Sequence, residues 1–128
     1  MAQYNIRTTY KRGEVGKVIN FTCRAADAST GTVGLVDLTN YTMTWSVWKG
    51  TTLTAIDNAA CTKRTQSGAT LGQCYHTLDS TTAGIAKGEY RFEVKATYGS
   101  NVLYFPTNED GTRTYGYLTV QEPRNAAA

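Results

Sequence analysis

Gly88-Glu89-Tyr90-Arg91-Phe92-Glu93-Val94-Lys95-Ala96-Thr97 sets apolar Tyr90, Phe92, Val94 and Ala96 in alternation with the charged Arg91, Glu93 and Lys95. A period of two marks a strand with one buried and one wet face. The stretch therefore reads as the central strand of the fold. The polar loop Asp79 to Gly88 leads into it, and the turn Gly99-Ser100-Asn101 and a second apolar run, Val102-Leu103-Tyr104-Phe105-Pro106, follow it. Strand, short turn and partner strand form a hairpin on which the rest of the chain is expected to pack.

Outward from that hairpin the same period recurs. Tyr41 to Trp48 places Tyr41, Met43, Trp45 and Val47 on one face and Thr42, Thr44 and Ser46 on the other. Trp45 is the natural centre of the core, because a ring that size buries more area than any neighbour. Trp48 falls on the opposite face at the strand end. Lys17 to Ala25 alternates Ile19, Phe21, Cys23 and Ala25 against polar partners, Gln73 to Leu78 aligns Cys74, His76 and Leu78, and Thr114 to Gln121 opposes Gly116, Leu118 and Val120 to Tyr115, Tyr117 and Thr119. Tyr4 to Lys11 suits a polar edge strand, and Gly13-Glu14-Val15-Gly16 a turn. Leu53 to Ile56 is a short strand. Asp57 to Gly72 lacks a period and reads as a long loop.

Short alternating strands separated by turns, with no helical stretch, define an all-β chain, read as an antiparallel immunoglobulin-like β-sandwich of about seven to eight strands. A chain of 128 residues, 41% hydrophobic, is sized for one core. One domain is expected over residues 1–128, with flexible arms at about 1–5 and 122–128. The expected core is Phe21, Trp45, Tyr90, Phe92, Val94 and Leu118. Tyr90, soon after a loop, is placed to serve as a tyrosine corner, its hydroxyl capping a backbone group upstream.

Charge and cysteine content narrow the chemistry. A net charge of +3, spread singly or as Lys11-Arg12 and Lys63-Arg64, is too weak and too even to indicate nucleic acid. No apolar run has the length of a membrane helix, and no signal segment is visible, so synthesis in a cytoplasm is expected. Three cysteines, Cys23, Cys61 and Cys74, are an odd number for a disulfide framework. Cys23 reads as a small buried hydrophobe, whereas Cys61 and Cys74 flank a polar segment and would bridge only on oxidation. One histidine and no Cys-x-x-Cys leave no zinc-finger ligand set, and Glu109-Asp110 lacks the Asp-x-Asp-x-Asp-Gly context of a calcium loop, so neither metal nor cofactor is expected. His76 has no predictable nucleophile beside it and reads as a hydrogen-bonded core residue. Ser46 and Ser80 sit in no nucleophile elbow. No catalytic set is expected.

What remains are interaction surfaces. Trp48, Tyr104, Tyr115 and Tyr117 are the aromatics least needed for the core, and outward aromatics are common interface anchors. The alternative is that they pair across strands and merely cover the sheet. The terminal arms are a second candidate, since floppy arms can order against a neighbour.

A run of motifs adds a family resemblance. Gly13-Glu14-Val15-Gly16, Asp37-Leu38-Thr39-Asn40 leading into Tyr41 to Val47, Tyr75-His76-Thr77-Leu78-Asp79, Ala83-Gly84 with Gly88 to Val94, and Leu103-Tyr104-Phe105-Pro106-Thr107 occur in that order. Over about residues 10–122 this resembles the N-terminal immunoglobulin-like domain of bacteriophage upper baseplate proteins. The resemblance implies a structural virion protein of a tailed phage, residing in tail, baseplate or neck. It would attach receptor-binding or fibre proteins and contact other virion proteins and copies of itself; the weak charge and the lack of a long apolar run, not the resemblance, set the expectation of neither nucleic acid nor membrane as a partner. Where the relatives continue into further domains this sequence stops, so a small adaptor is expected. The alternatives are a capsid decoration protein and a carbohydrate-binding or adhesin module in which Trp48 and Tyr117 stack on sugars. An enzyme, such as a depolymerase fragment, is the weakest expectation, because no acid and base pair up.

Overall fold

The computed structural model describes residues 7–26, 33–50, 53–105 and 115–123, and the fold is all-β. Among the described residues, eleven strands form a six-stranded sheet, a three-stranded sheet and a two-stranded ribbon. They are β1 Arg7–Lys11, β2 Val18–Thr22, β3 Arg24–Ala26, β4 Val33–Leu35, β5 Thr42–Lys49, β6 Leu53–Ala60, β7 Thr62–Lys63, β8 Gln73–Thr77, β9 Gly88–Tyr98, β10 Asn101–Phe105 and β11 Gly116–Gln121.

The eleven-residue β9 is the hub. One edge pairs with β5; the other is shared end to end, β11 lying along Gly88–Phe92 and β10 along Val94–Tyr98. Its alternation does what the sequence dictates: Tyr90, Phe92, Val94 and Ala96 are buried, and Arg91 faces solvent. The hairpin turn to β10 is tighter than expected. Asn101 already pairs with Tyr98, leaving Gly99-Ser100 as a two-residue loop. Gly99, at φ +60°, takes the first central position that such turns reserve for glycine.

The strand order of the large sheet is β1-β11-β9-β5-β6, with β10 on β9; the small sheet runs β2-β8-β7. Two sequence expectations change here. The pairing is not purely antiparallel, because β1 lies parallel to β11, from Arg7 opposite Tyr117 to Lys11 opposite Gln121. Parallel neighbours need a long crossover; here the rest of the domain supplies it, since every other strand intervenes in the chain before β11 comes to lie beside β1. The strand total also exceeds seven to eight, because one stretch subdivides and β4 and β7 form where no strand is expected. Lys17 to Ala25 breaks at Cys23, whose N–H donates to the Gly72 carbonyl (2.7 Å) and whose carbonyl accepts from Val36 N–H (3.0 Å). Beyond it, β3 leaves the sheet to pair with β4.

The expected loop Asp57 to Gly72 instead begins as strand, because β6 runs on to Ala60 past irregular pairing with β5. Asn58 adopts φ +52° there, and its N–H donates to Ser46 Oγ (3.0 Å). A bulge of this kind inserts a residue and so erases the period-two signal. The stretches Ser29-Thr30-Gly31 and Asn108 to Gly111, which the sequence reads as a loop tip and a turn, the Pro106-Thr107 motif and both expected arms, apart from Glu122 and Pro123, lie outside the described residues. Glu122 pairs with Arg12 at 3.2 Å.

One core lies between the two main sheets. Phe21, Trp45, Tyr90, Phe92, Val94 and Leu118 are all buried, Trp45 and Leu118 completely. Phe21, from the small sheet, joins the large-sheet rings: its centroid lies 5.5 Å from Trp45 and 5.6 Å from Phe92. Rings at such spacing and tilt contribute about 0.5–1.5 kcal/mol per pair beyond area burial. Tyr10 is also core, 1% exposed although it sits on a polar edge strand. Its hydroxyl donates to the Thr82 carbonyl at 2.7 Å, which ties the first strand to the loop before β9.

Candidate interaction surface

Two faces of the large sheet follow from its alternation, and the outward one carries the candidate surface. Register places Arg7 on β1 opposite Tyr117 on β11, Tyr117 opposite Arg91 on β9, and Arg91 opposite Trp48 on β5. Their strand neighbours Leu118, Tyr90, Phe92 and Val47 are buried, so this row points away from the core. Cation, aromatic, cation and aromatic thus cross four strands in one line.

The side chains interlock. The Arg7 guanidinium carbon lies 5.1 Å from the Tyr117 ring centre, and that of Arg91 lies 4.7 Å from the Tyr115 ring. Trp48 meets Tyr115 edge-on, with centroids 5.7 Å apart and planes at 82°. Tyr115 and Tyr117 remain about 40% exposed. Of the four aromatics expected at an interface, Trp48, Tyr115 and Tyr117 therefore come together. Tyr104 stands opposite Lys95, half-buried, and four residues along β9 from Arg91; that separation is about 13 Å at the rise of a strand.

Arg7, Lys49 and Arg91 are absent from the sequence expectation. Arg91 was legible as an outward charge, but nothing in the chain announces that β1 would bring Arg7 to Tyr117 through a parallel pairing. Beside the row a cavity of about 360 Å³ opens among Arg7, Lys49, Glu89, Arg91, Tyr117 and Thr119. The Lys49 ammonium also lies 5.7 Å from the Tyr90 ring centre.

Two buried clusters complete the inventory. His76 is 6% exposed; its Nδ1 meets the Ala60 carbonyl at 2.8 Å, and its Nε2 meets Thr82 Oγ1 at 3.0 Å. A ring nitrogen facing a carbonyl must carry the proton, so Nδ1 donates. Thr82 is held in turn by Asp79, whose Oδ1 accepts its N–H at 2.8 Å. Those bonds from Thr82, with one from Thr81, keep the Asp79 carboxyl below the usual carboxylate range. The chain Asp79, Thr82, His76 and Ala60 runs under Trp45, whose ring lies 5.1 Å from the imidazole; it locks the corner before β9.

The second cluster is the three thiols. Cys23 and Cys74 are fully buried and Cys61 partly so. All three are free. Proximity to Cys74, then burial, pushes the Cys23 and Cys61 thiols up, and the same two neighbours lower the Cys74 thiol; the Cys61 S–H donates to the Ala59 carbonyl at 3.8 Å. No group of three or more His, Cys, Asp or Glu among the described residues is arranged to hold a metal ion. Among them, too, no helix is long and apolar enough to cross a membrane.

In comparisons with known proteins, no protein-family model and no curated sequence matches the chain.

Proposed function

We propose that the chain is a non-enzymatic immunoglobulin-like module of a tailed-phage virion, docking another virion subunit through the outer face of its large sheet. Strand order supports the fold part. With β2, β8 and β7 in one sheet and β11, β9, β5 and β6 in the other, the order corresponds to the B, E, D and G, F, C, C′ strands of variable-type immunoglobulin domains. The Tyr90 hydroxyl supports it as well, donating to the Ala86 carbonyl four residues upstream at 2.6 Å, as a tyrosine corner does. The phage assignment rests on the ordered motifs from Gly13 to Thr107.

The observation that carries the docking role is the interlocked row of Arg7, Tyr117, Arg91 and Trp48 with Tyr115. Arginine and aromatic side chains are the types that dominate interface energies, and stacking holds these in place before a partner arrives. A sugar-stacking role for Trp48 and Tyr117 fits the arrangement less well: stacking needs an open ring face, and Arg7 lies over Tyr117 while Trp48 is engaged with Tyr115.

The test is to purify particles from cells producing this chain and identify their polypeptides by mass spectrometry. The chain should be present in particles, and Trp48→Ala with Arg91→Ala should lower its occupancy while the isolated domain still folds. Absence of the wild-type chain from purified particles overturns the proposal. A glycan array signal abolished by Trp48→Ala would replace it with the carbohydrate reading.

A further inference from the structure

The geometry points to an acidic segment of a partner protein, with a carboxylate seated in the cleft between Arg7 and Arg91, as what this face receives. The inference rests on the docking reading above and names the chemistry of the docked chain. The cleft of about 360 Å³ sets three cations, Arg7, Lys49 and Arg91, against one carboxylate, Glu89. Among the described residues none of the three is ion-paired; the ion pairs there are Arg12 with Glu122 and Lys17 with Glu14. The cleft thus holds an excess of positive charge that the described part of the molecule does not neutralise.

Stacking decides how that charge is presented. A guanidinium that lies against a ring uses its flat face, and its five N–H donors, which lie in its plane, stay available. The Arg7 and Arg91 guanidinium carbons lie over the Tyr117 and Tyr115 rings, 5.1 and 4.7 Å from their centres. A carboxylate matches such a fork with two parallel hydrogen bonds. Glu89 offsets one of the three cations and leaves the cleft net positive, so the cleft attracts an anionic partner segment. Tyr117 and Thr119 add hydroxyls at the rim. Lining charge and the donor forks of the two arginines both point to an anionic segment.

The experiment titrates the full chain with fluorescein-labelled octaglutamate and octaglutamine peptides at about 0.1 M salt, where the Debye length is about 10 Å, reading anisotropy. Octaglutamate should bind more tightly than octaglutamine. The double variant Arg7→Gln with Arg91→Gln should bind it about tenfold or more weakly, the scale of losing charge-assisted hydrogen bonds. Lys63→Gln with Arg64→Gln removes the same charge on the small sheet, away from the cleft, and should change binding by less than about twofold, since exposed charges beyond a Debye length are screened. Equal losses in the two double variants, or equal affinity for the two peptides, would overturn the inference. So would tighter binding of a polyphosphate through Arg7 and Arg91.

Both arginines are solvent-facing, so the variant should fold, and its melting temperature verifies that. Cross-linking from Lys49 in intact particles separates this inference from the docking reading. A cross-linked partner segment without Asp or Glu overturns the acidic ligand and leaves docking intact. Absence of the chain from particles overturns docking whatever the peptides do.

Discussion

The two faces of the large sheet are made by the same strands, often by adjacent residues, yet they answer to different physics. On the inner face Trp45, Phe92, Val94 and Leu118 are each 1% exposed or less, and every atom displaced there leaves a void or a clash. On the outer face Arg7 lies over Tyr117, and Arg91 and Trp48 each meet Tyr115; the arginines and tyrosines are exposed and Trp48 is half-buried. The inner face is specified by volume, the outer by charge and ring geometry. Stability should therefore be lost through the first, and recognition through the second.

The largest effect is expected at Trp45. Trp45→Ala deletes a completely buried indole that packs on Phe21 and His76, and should cost about 3–5 kcal/mol in urea unfolding. A loss under about 1 kcal/mol, the range of surface changes, would mean that the inner face is not the cooperative core. Next in size is Gly116→Ala. Gly116 pairs with Phe92 across β11 and β9, and a Cβ there would stand 2.2 Å from the Phe92 ring. The ring is backed by Phe21, so it has little room to yield, and a cost of about 1–3 kcal/mol is expected. Alanine tolerated at Gly116 would show that the inner face relaxes more easily than its packing implies.

Tyr90 sharpens the contrast, since it is an inner-face residue with a polar end. Tyr90→Phe keeps the ring and deletes the bond to the Ala86 carbonyl, so about 1 kcal/mol should be lost. Tyr90 and Tyr10 also predict an alkaline limit, because burial raises both phenols above their usual pKa, with the Tyr90 charge adding to the shift at Tyr10. A raised folded pKa gives stability that is complete below the unfolded value of about 10 and drains away as pH climbs toward the folded one. Melting temperature should thus fall steeply above about pH 10. Tyr10→Phe should flatten the fall, and an unchanged slope would remove Tyr10 as its source.

The sequence made the inner face legible because alternation is a local signal. Tyr90 to Ala96, Met43 to Val47 and Leu118 with Val120 each declare their buried side within a few residues. It hid whatever depends on pairing. The parallel partner of β1 is more than a hundred residues away in the chain, so neither the burial of Tyr10 nor the meeting of Arg7 with Tyr117 has a local signature. The bulge at Asn58 disguised a strand as a loop for the same reason: its hydrogen bonds to Ser46 exist only across β5 and β6. Of the candidate site, the aromatics were legible as outward positions. The cations that order them were not.

The smallest effect tests whether the outer row is a set of true contacts or side chains that merely lie near one another. Arg7 over Tyr117 is an exposed cation–π pair, which contributes about 0.5–1 kcal/mol at most. A double-mutant cycle with Arg7→Gln and Tyr117→Leu should return a coupling of that size, whereas Arg7→Gln with Lys63→Gln, on separate sheets, should return none within about 0.3 kcal/mol. Zero coupling at Arg7 and Tyr117 would mean that the guanidinium is not held over the ring in solution. The cleft would then lose its preordered cation, and the outer face would differ from the inner one only in being wet.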